Sequence, residues 1–349
     1  MTTPLTFKPV YKDYIWGGAC LATHFHRTGT PYPCAESWEI SAHPDGPSIV
    51  ANGQYAGRSL PELASEFGVA LMGTQTPDPT RFPLLIKLID ANDKLSVQVH
   101  PNNSNAALTQ GEPKTEMWYV LNRNPGSSLY TGLREGVTPE VLQTALLDGT
   151  AEKCLAEVSI NPGDAIFIPG GLVHAIGGGA LIYEVQQNSN TTYRLFDWNR
   201  VGADGKPRPL HIEESFKTIE WDNAGNKHAP RTSTLVRSPN DRLKPAELER
   251  GAVFRDGAAM RECLNAGMTG YQSLVSCTFF QVGKLALEGN TSVKQDGTSF
   301  TALFIENGNA SVTASGETVQ LTKGMSCLIP AAAPLFTLAG KASILITTL

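Results

Sequence analysis

The chain is short of the marks that define several protein classes. No apolar run reaches the roughly 18 residues of a membrane span, and the longest candidate, residues 165–185, is interrupted by Pro169, His174 and several glycines. The opening residues MTTPLTFKPVYKDY have no apolar core of a signal peptide. Six cysteines (Cys20, Cys34, Cys154, Cys263, Cys277, Cys327) stand without C-x-x-C spacing, which argues against a zinc knuckle or a small disulfide scaffold. No membrane and a reducing, cytoplasmic location are the expectations. Basic residues are not in excess, with Lys+Arg 28 against Asp+Glu 33 and a formal charge of −5, so a surface built for nucleic acid is not expected. No phosphate-binding loop or dinucleotide fingerprint occurs. Gly177-Gly178-Gly179 has the wrong pattern and reads as a tight hairpin turn.

What the chain does have is length and turns. Its 349 residues exceed what one domain usually needs. A 41% hydrophobic and 17% charged composition fits a globular chain with a sizeable core. Gly 33 and Pro 23 imply many turns between short strands. Helical signals are few. Ser59-Leu60-Pro61-Glu62 reads as a capping box, Thr138-Pro139-Glu140 opens a second helix, and residues 211–221 carry a third. These predict short helical insertions at about 58–70, 136–150 and 211–221. Most remaining segments read as strands, including Leu84–Ile89, Lys94–His100, Thr115–Asn122, Ala165–Pro169, Ala180–Gln186 and Thr191–Asp197. The pattern predicts an all-β protein of sandwich or barrel type. A polar stretch from Asp222 to Pro245 divides it into domains 1–240 and 241–349. A faint repeat supports two similar domains: Gly163, Pro169 and His174 recur as Gly324, Pro330 and Leu335 at the same spacing. The second copy has lost its histidine, so only the first can bind metal there.

The chemistry concentrates in the first domain. Along a strand from Lys94 to His100, side chains alternate, so Lys94, Ser96, Gln98 and His100 share one face. If that polar face lines a barrel lumen, Gln98 and His100 stand about 6.7 Å apart, within reach of one metal. Lys114 and Glu116 share a face of the next strand, and His174 follows a Pro-Gly-Gly turn. Gln98, His100, Glu116 and His174 together offer two imidazoles, a carboxylate and an amide oxygen. That set suits Zn²⁺, and its single carboxylate leaves the centre net positive.

Several segments, taken in order and distance, carry a resemblance. QVHP at Gln98–Pro101, KTEMWYV at Lys114–Val120, the Gly163–His174 segment and YEVQQNSNTTYRLFDWNR at Tyr183–Arg200 resemble the cupin-type (type I) mannose-6-phosphate isomerases in their short bacterial form. FKPVYKDYIWGG and ESWEISAHPDG near the N-terminus are similar to the same family. The likeness runs from about residue 5 to 220, whereas the C-terminal stretch is compatible but not distinctive. It implies two cupin (jelly-roll β-barrel) domains, the second degenerate and without a metal site. It also implies one Zn²⁺ per chain on Gln98, His100, Glu116 and His174, and interconversion of mannose 6-phosphate with fructose 6-phosphate. By the same resemblance Arg194 is the catalytic-site arginine, Lys114 matches the lysine two residues before the glutamate ligand, and Ser96 matches the serine two residues before the glutamine. The Gln-x-His pair, with 15 residues between His100 and Glu116, departs from the compact H-x-H of wider cupins and argues against a redox-iron oxygenase.

Isomerisation runs through an enediol or, alternatively, by hydride shift; the enediol route needs a proton carrier, for which Glu184 is the first candidate and Lys114 the second. Arg194 would stabilise negative charge on the oxygens. Ser96, Lys94 and Arg194 are candidates for the phosphate, and Trp16 for a wall of the sugar pocket. A non-catalytic sugar-phosphate sensor is the alternative; a monomer and a homodimer are both open. His24 and His26 lack a carboxylate partner and read as structural, and His43 has no assigned role.

Overall fold

The computed structural model describes residues 1–202, 205–221, 235–236 and 270–349. The expected boundary at residues 222–245 lies outside the described residues apart from the short pair Leu235–Val236. The early strands are β1 (Phe7–Lys8), β2 (Val10–Lys12), β3 (Glu36–Ser41), β4 (Ile49–Val50) and β5 (Leu84–Ala91). The site-bearing strands are β6 (Val97–Val99), β7 (Glu116–Arg123), β8 (Ser128–Leu133), β9 (Leu155–Ser159), β10 (Ala165–Ile168), β11 (His174–Ile176), β12 (Ala180–Gln187) and β13 (Tyr193–Phe196). After them come β14 (Leu235–Val236), β15 (Tyr271–Ser276), β16 (Gln281–Lys294), β17 (Thr301–Ala314), β18 (Glu317–Thr322), β19 (Ser326–Ile329) and β20 (Leu335–Thr348). The helices are α1 (Cys20–Phe25), α2 (Leu60–Phe67), α3 (Val69–Met72), α4 (Pro139–Leu147) and α5 (Ile212–Thr218).

The described chain divides into two compact units that are not contiguous in sequence. One holds Met1–Val10, Trp38–Ile86 and the C-terminal strands, and the other holds Tyr11–Ser37 and the described residues from Lys87 to Val236. In the first unit β15, β16, β20, β17 and β18 form one antiparallel sheet in that order, with β19 also paired to β17. Leu285, Leu303, Val312, Phe336 and Ile344 are among the residues of its buried core. Helix α2 of this unit starts as its sequence foretells. The Ser59 amide donates to Glu62 Oε2 at 2.8 Å, and the Glu62 amide donates back to Ser59 Oγ at 3.4 Å.

The second unit sets two sheets face to face. One runs β14-β10-β7-β12 and continues through this unit's portions of β5 (from Lys87) and β3 (to Ser37) to β2, the other β13-β6-β11-β8-β9. Alternation along β6 decides which side chains enter the barrel. Val97 and Val99 point outward into a core with Leu142 of α4 and, beside α5, Ile219, each such burial being worth about 1.5–3 kcal/mol. Gln98 therefore points inward. A one-residue slip would exchange the two faces, so the apolar packing under α4 and α5 fixes the register of the site.

The repeat seen in the sequence has a structural counterpart. Gly163 and Gly324 both adopt positive φ, at 94° and 85°. Each is followed two residues on by a four-residue strand, β10 or β19, that ends just before Pro169 or Pro330. The next strand begins on His174 in one copy and on Leu335 in the other.

Two expectations are corrected. The strand expected from Lys94 begins only at Val97. And the Gly177–Gly179 turn does not make a hairpin, because β11 and β12 belong to different sheets and the turn carries the chain from one to the other. Glycine is needed there: a Cβ on Gly177 would stand 2.2 Å from the Ser128 carbonyl oxygen.

Candidate active site

Cross-strand register builds the site. On the five-stranded sheet Arg194 lies opposite Gln98, and Gln98 opposite His174, so three side chains stand in a row across β13, β6 and β11. On the facing sheet Glu116 lies opposite Gln186 and Trp118 opposite Glu184. His100 follows β6 directly and completes the group. The Pro-Gly-Gly turn before His174 packs tightly on the His100 segment: the Gly171 amide donates to the His100 carbonyl at 2.7 Å, and a Cβ on Gly170 would stand 2.8 Å from the Pro101 carbonyl oxygen.

His100, Glu116 and His174 are buried, and one donor atom from each lies within 4.8 Å of the others. His174 Nδ1 is 2.8 Å from the Leu172 carbonyl oxygen, which can only accept, so the proton sits on Nδ1 and Nε2 presents a lone pair. That lone pair faces Glu116 Oε1 at 3.3 Å, an oxygen that receives no hydrogen bond. Two acceptors facing each other in a buried site are the arrangement a cation relieves. Burial pushes the His174 imidazole down to about 3 and the His100 imidazole well below its ordinary value, with Lys114 adding to the latter. Both rings are therefore neutral and free to act as ligands. The Gln98 amide stands 3.2 Å from His174 Nε2 and 3.5 Å from His100 Nε2; turning the amide over brings its oxygen to the same place. The donor set thus fits a divalent metal.

A cavity of about 290 Å³ opens beside these groups. Trp16, Ser96, Gln98, Lys114, Glu184 and Arg194 line it, as the sequence led us to expect, and so do Lys87, Glu36 and Arg208, which the sequence reading missed. Lys114 Nζ lies 2.9 Å from Glu116 Oε2 and 3.0 Å from His100 Nε2. Glu184 is fully engaged: Oε2 accepts from the Trp118 indole at 2.9 Å and Oε1 pairs with Lys87 at 3.1 Å. Burial alone would raise its pKa, but Lys87, Lys114 and the two hydrogen bonds hold the carboxyl below its ordinary range. Glu116 is shifted the other way, upward, by burial and the charge of Glu184. Lys87 also reaches Glu36 at 3.2 Å. Burial opposes its charge, but Glu184, Glu36 and Glu116 together hold it firmly protonated. A signal for Lys87 was present in the sequence, as one cation inside the apolar run LLIKLIDA, where every residue is buried.

Lys94 is placed elsewhere. Its Nζ bonds Glu152 at 2.8 Å and lies 4.3 Å from the Trp198 ring centroid, and it does not line the cavity. His24 and His43 stay outside too. His24 stacks edge-on against Phe25, and His43 pairs with Asp45 at 3.5 Å. Among the described residues no helix is long and apolar enough to cross a membrane, and Cys20, Cys34, Cys154, Cys277 and Cys327 are free thiols.

Paired sheets closing on an inward His/Glu/His group define a protein of the cupin class, and comparison with known proteins agrees. Residues 5–125 match the family model "Phosphomannose isomerase type I, catalytic domain", and residues 271–349 match "Mannose-6-phosphate isomerase, cupin domain". A mannose-6-phosphate isomerase of Bacillus subtilis is 37% identical over 351 residues, covering 100% of this chain and 99% of the relative. One from Streptococcus mutans is 38% identical over 247 residues, 68% of this chain and 77% of its own length. The crystal structure of a Bacillus subtilis mannose 6-phosphate isomerase superposes with a TM-score of 0.79 at 30% identity, over 99% of this chain and 100% of the other. A putative mannosephosphate isomerase from Archaeoglobus fulgidus shares the fold, with a TM-score of 0.71 at 23% identity, over 99% of this chain and 97% of the other. The chain belongs to the type I mannose-6-phosphate isomerases, a family of aldose–ketose isomerases.

Proposed function

We propose that this chain interconverts mannose 6-phosphate and fructose 6-phosphate in the cytoplasm, with Zn²⁺ as its metal and an enediol as intermediate. The observation that carries the reading is the convergence of Arg194, Gln98 and His174 on one sheet with Glu116 on the other, beside a polar cavity. Gln98, His100, Glu116 and His174 would hold the ion, which when bound supplies Lewis-acid stabilisation of negative charge on substrate oxygen.

The residues of the chain divide the remaining work. Removing the proton from C2 of the open-chain aldose gives an enediolate whose negative charge rests on O1; O1 then takes up a proton and O2 gives one up, which moves the charge to O2. Returning a proton to C1, while O2 becomes the carbonyl, gives the ketose. Arg194, directly beside Gln98, is placed to stabilise the developing oxyanion. Of the two candidate proton carriers, Lys114 takes precedence over Glu184. The acceptors around Lys114 Nζ are the metal-donor groups His100 and Glu116, which a bound cation would draw away from it. Glu184 is held by Trp118 and Lys87, neither of them a metal-donor group, and a carboxylate held at low pKa is a weak base. Glu184 instead fixes Lys87 in the cavity wall. Trp16 and Ser96 border the same space, positioned to contact the sugar.

The test is a coupled assay for fructose 6-phosphate formed from mannose 6-phosphate, run on zinc-loaded and metal-stripped protein. Turnover that needs the metal is the expected result. Undiminished turnover after complete metal removal sinks the zinc assignment, and no turnover by the loaded protein leaves a sugar-phosphate sensor. Solvent deuterium appearing at C1 of the product supports the enediol route.

A further inference from the structure

Arg208 lies on the segment after β13 and lines the same cavity as Arg194. Its guanidinium is held on one edge by a fork: Nε donates to Asp197 Oδ2 at 2.8 Å and Nη2 to Asp197 Oδ1 at 2.6 Å. Nη1 has no hydrogen-bond partner among the described residues. The segment is fastened to β13 next to it. Arg194 Nη1 donates to the Pro209 carbonyl at 2.8 Å, and the His211 amide donates to the Arg194 carbonyl at 2.8 Å. Asp197 also accepts from Arg200 at 2.7 Å, but the other arm of Arg200 is taken by Asp93 at 2.9 Å, and Arg200 does not line the cavity.

Resting on the isomerase reading, we propose that Arg208 is the residue that recognises the phosphate group of the substrate. The order of residues supports it. Gln98 belongs to the metal group and Arg194 stands opposite Gln98, whereas Arg208 lines the same cavity with its bonds going to Asp197 and to no metal-donor residue, so the reacting carbons and a terminal phosphate can meet different guanidiniums. The two guanidiniums repel each other: after burial, the neighbouring Arg208 is the main influence lowering the pKa of Arg194. A dianion between or beside them relieves that repulsion. Arginine suits the task because its planar fork can grip Asp197 with one edge and phosphate oxygens with the other. This assignment moves the phosphate away from Lys94, whose ammonium is committed to Glu152 and Trp198.

The experiment compares three variants of the zinc-loaded enzyme by their KM for mannose 6-phosphate and by inhibition with inorganic phosphate. Arg208→Gln is expected to raise KM and the inhibition constant of phosphate together by at least about tenfold, the loss expected of a charge-assisted contact, with kcat changed far less. Arg208→Lys keeps a point charge and recovers part of that loss. Arg200→Gln removes the other partner of Asp197 and leaves both constants near wild type. Unchanged constants in Arg208→Gln overturn the proposal, as does an equal rise in Arg200→Gln, which would mean that the Asp197 pairing alone matters. If Arg208→Gln does not fold, the Lys variant decides, and wild-type constants there overturn the assignment. Failure of the isomerase reading is separate, since it shows as absence of wild-type turnover in the same assay.

Discussion

Trp118 and Glu184 stand directly opposite each other on β7 and β12, and the indole Nε1 donates to Glu184 Oε2 at 2.9 Å. The same indole lies edge-on to the His174 ring, with centroids 5.4 Å apart. One buried side chain thus packs on a metal-ligand candidate and orients the carboxylate that holds Lys87. Trp118→Phe keeps an aromatic ring and removes the donor. It is expected to cost about 1–3 kcal/mol for the unsatisfied carboxylate oxygen, plus a cavity contribution. Urea denaturation of the single variants and of the double variant with Glu184→Met measures the coupling. Strictly additive costs would show that the bond contributes nothing.

Lys87 is the shared cation of Glu36 and Glu184. Lys87→Met leaves two buried carboxylates facing an apolar group, and removing one partner from such a network typically costs about 3–5 kcal/mol. The urea midpoint at neutral pH should fall accordingly. A fall of under about 1 kcal/mol would mean that the two carboxylates share a proton instead.

The metal group and Arg194 should separate cleanly. His174→Ala is expected to lose both bound zinc and activity, because the remaining donors leave Glu116 unmatched. Arg194→Ala should retain one zinc per chain and lose about 10²-fold or more in kcat, as for removal of an oxyanion donor. Elemental analysis beside steady-state kinetics checks both, and a wild-type rate in Arg194→Ala would refute its role.

Asp197 gives a pH signature. Burial works to raise its pKa, but the hydrogen bonds and charges of Arg208 and Arg200 hold it below the ordinary value. A carboxyl lowered in the folded state stabilises the fold at pH values above its unfolded pKa, about 3.9. That contribution disappears as pH falls through the lower folded value. The melting-temperature difference between wild type and Asp197→Asn should therefore be flat from pH 7 to about 5 and shrink in the acid range below about 4. A gap that closes already between pH 7 and 5 would place the linkage on another group.

Much of the site was legible one strand at a time. The alternation around Gln98 named the lumen face, the Pro-Gly-Gly turn located His174, and the repeat showed that the second copy carries Leu335 in the place of that histidine. Local rules were enough for these because alternation, capping and turn chemistry act within a few residues. The same rules erred at Lys94, which the strand pattern put on the lumen face. The chain there follows bonds to distant partners, Glu152 and Trp198, rather than its own periodicity. Glu184 is the first candidate base by sequence, but its proton affinity depends on Lys87 and Trp118, which lie on other strands.

The sequence by itself determined that the protein is all-β, that its first half carries an imidazole–carboxylate–amide group, and which family that group resembles. It did so because these features are written in spacing. Only the tertiary structure decided that Lys87 shares its charge between Glu36 and Glu184, that Arg208 joins Arg194 at the cavity, and that Lys94 does not. Those outcomes depend on which strands become neighbours and on how far burial strengthens each charge pair. Neither quantity is set by residues close together in the chain.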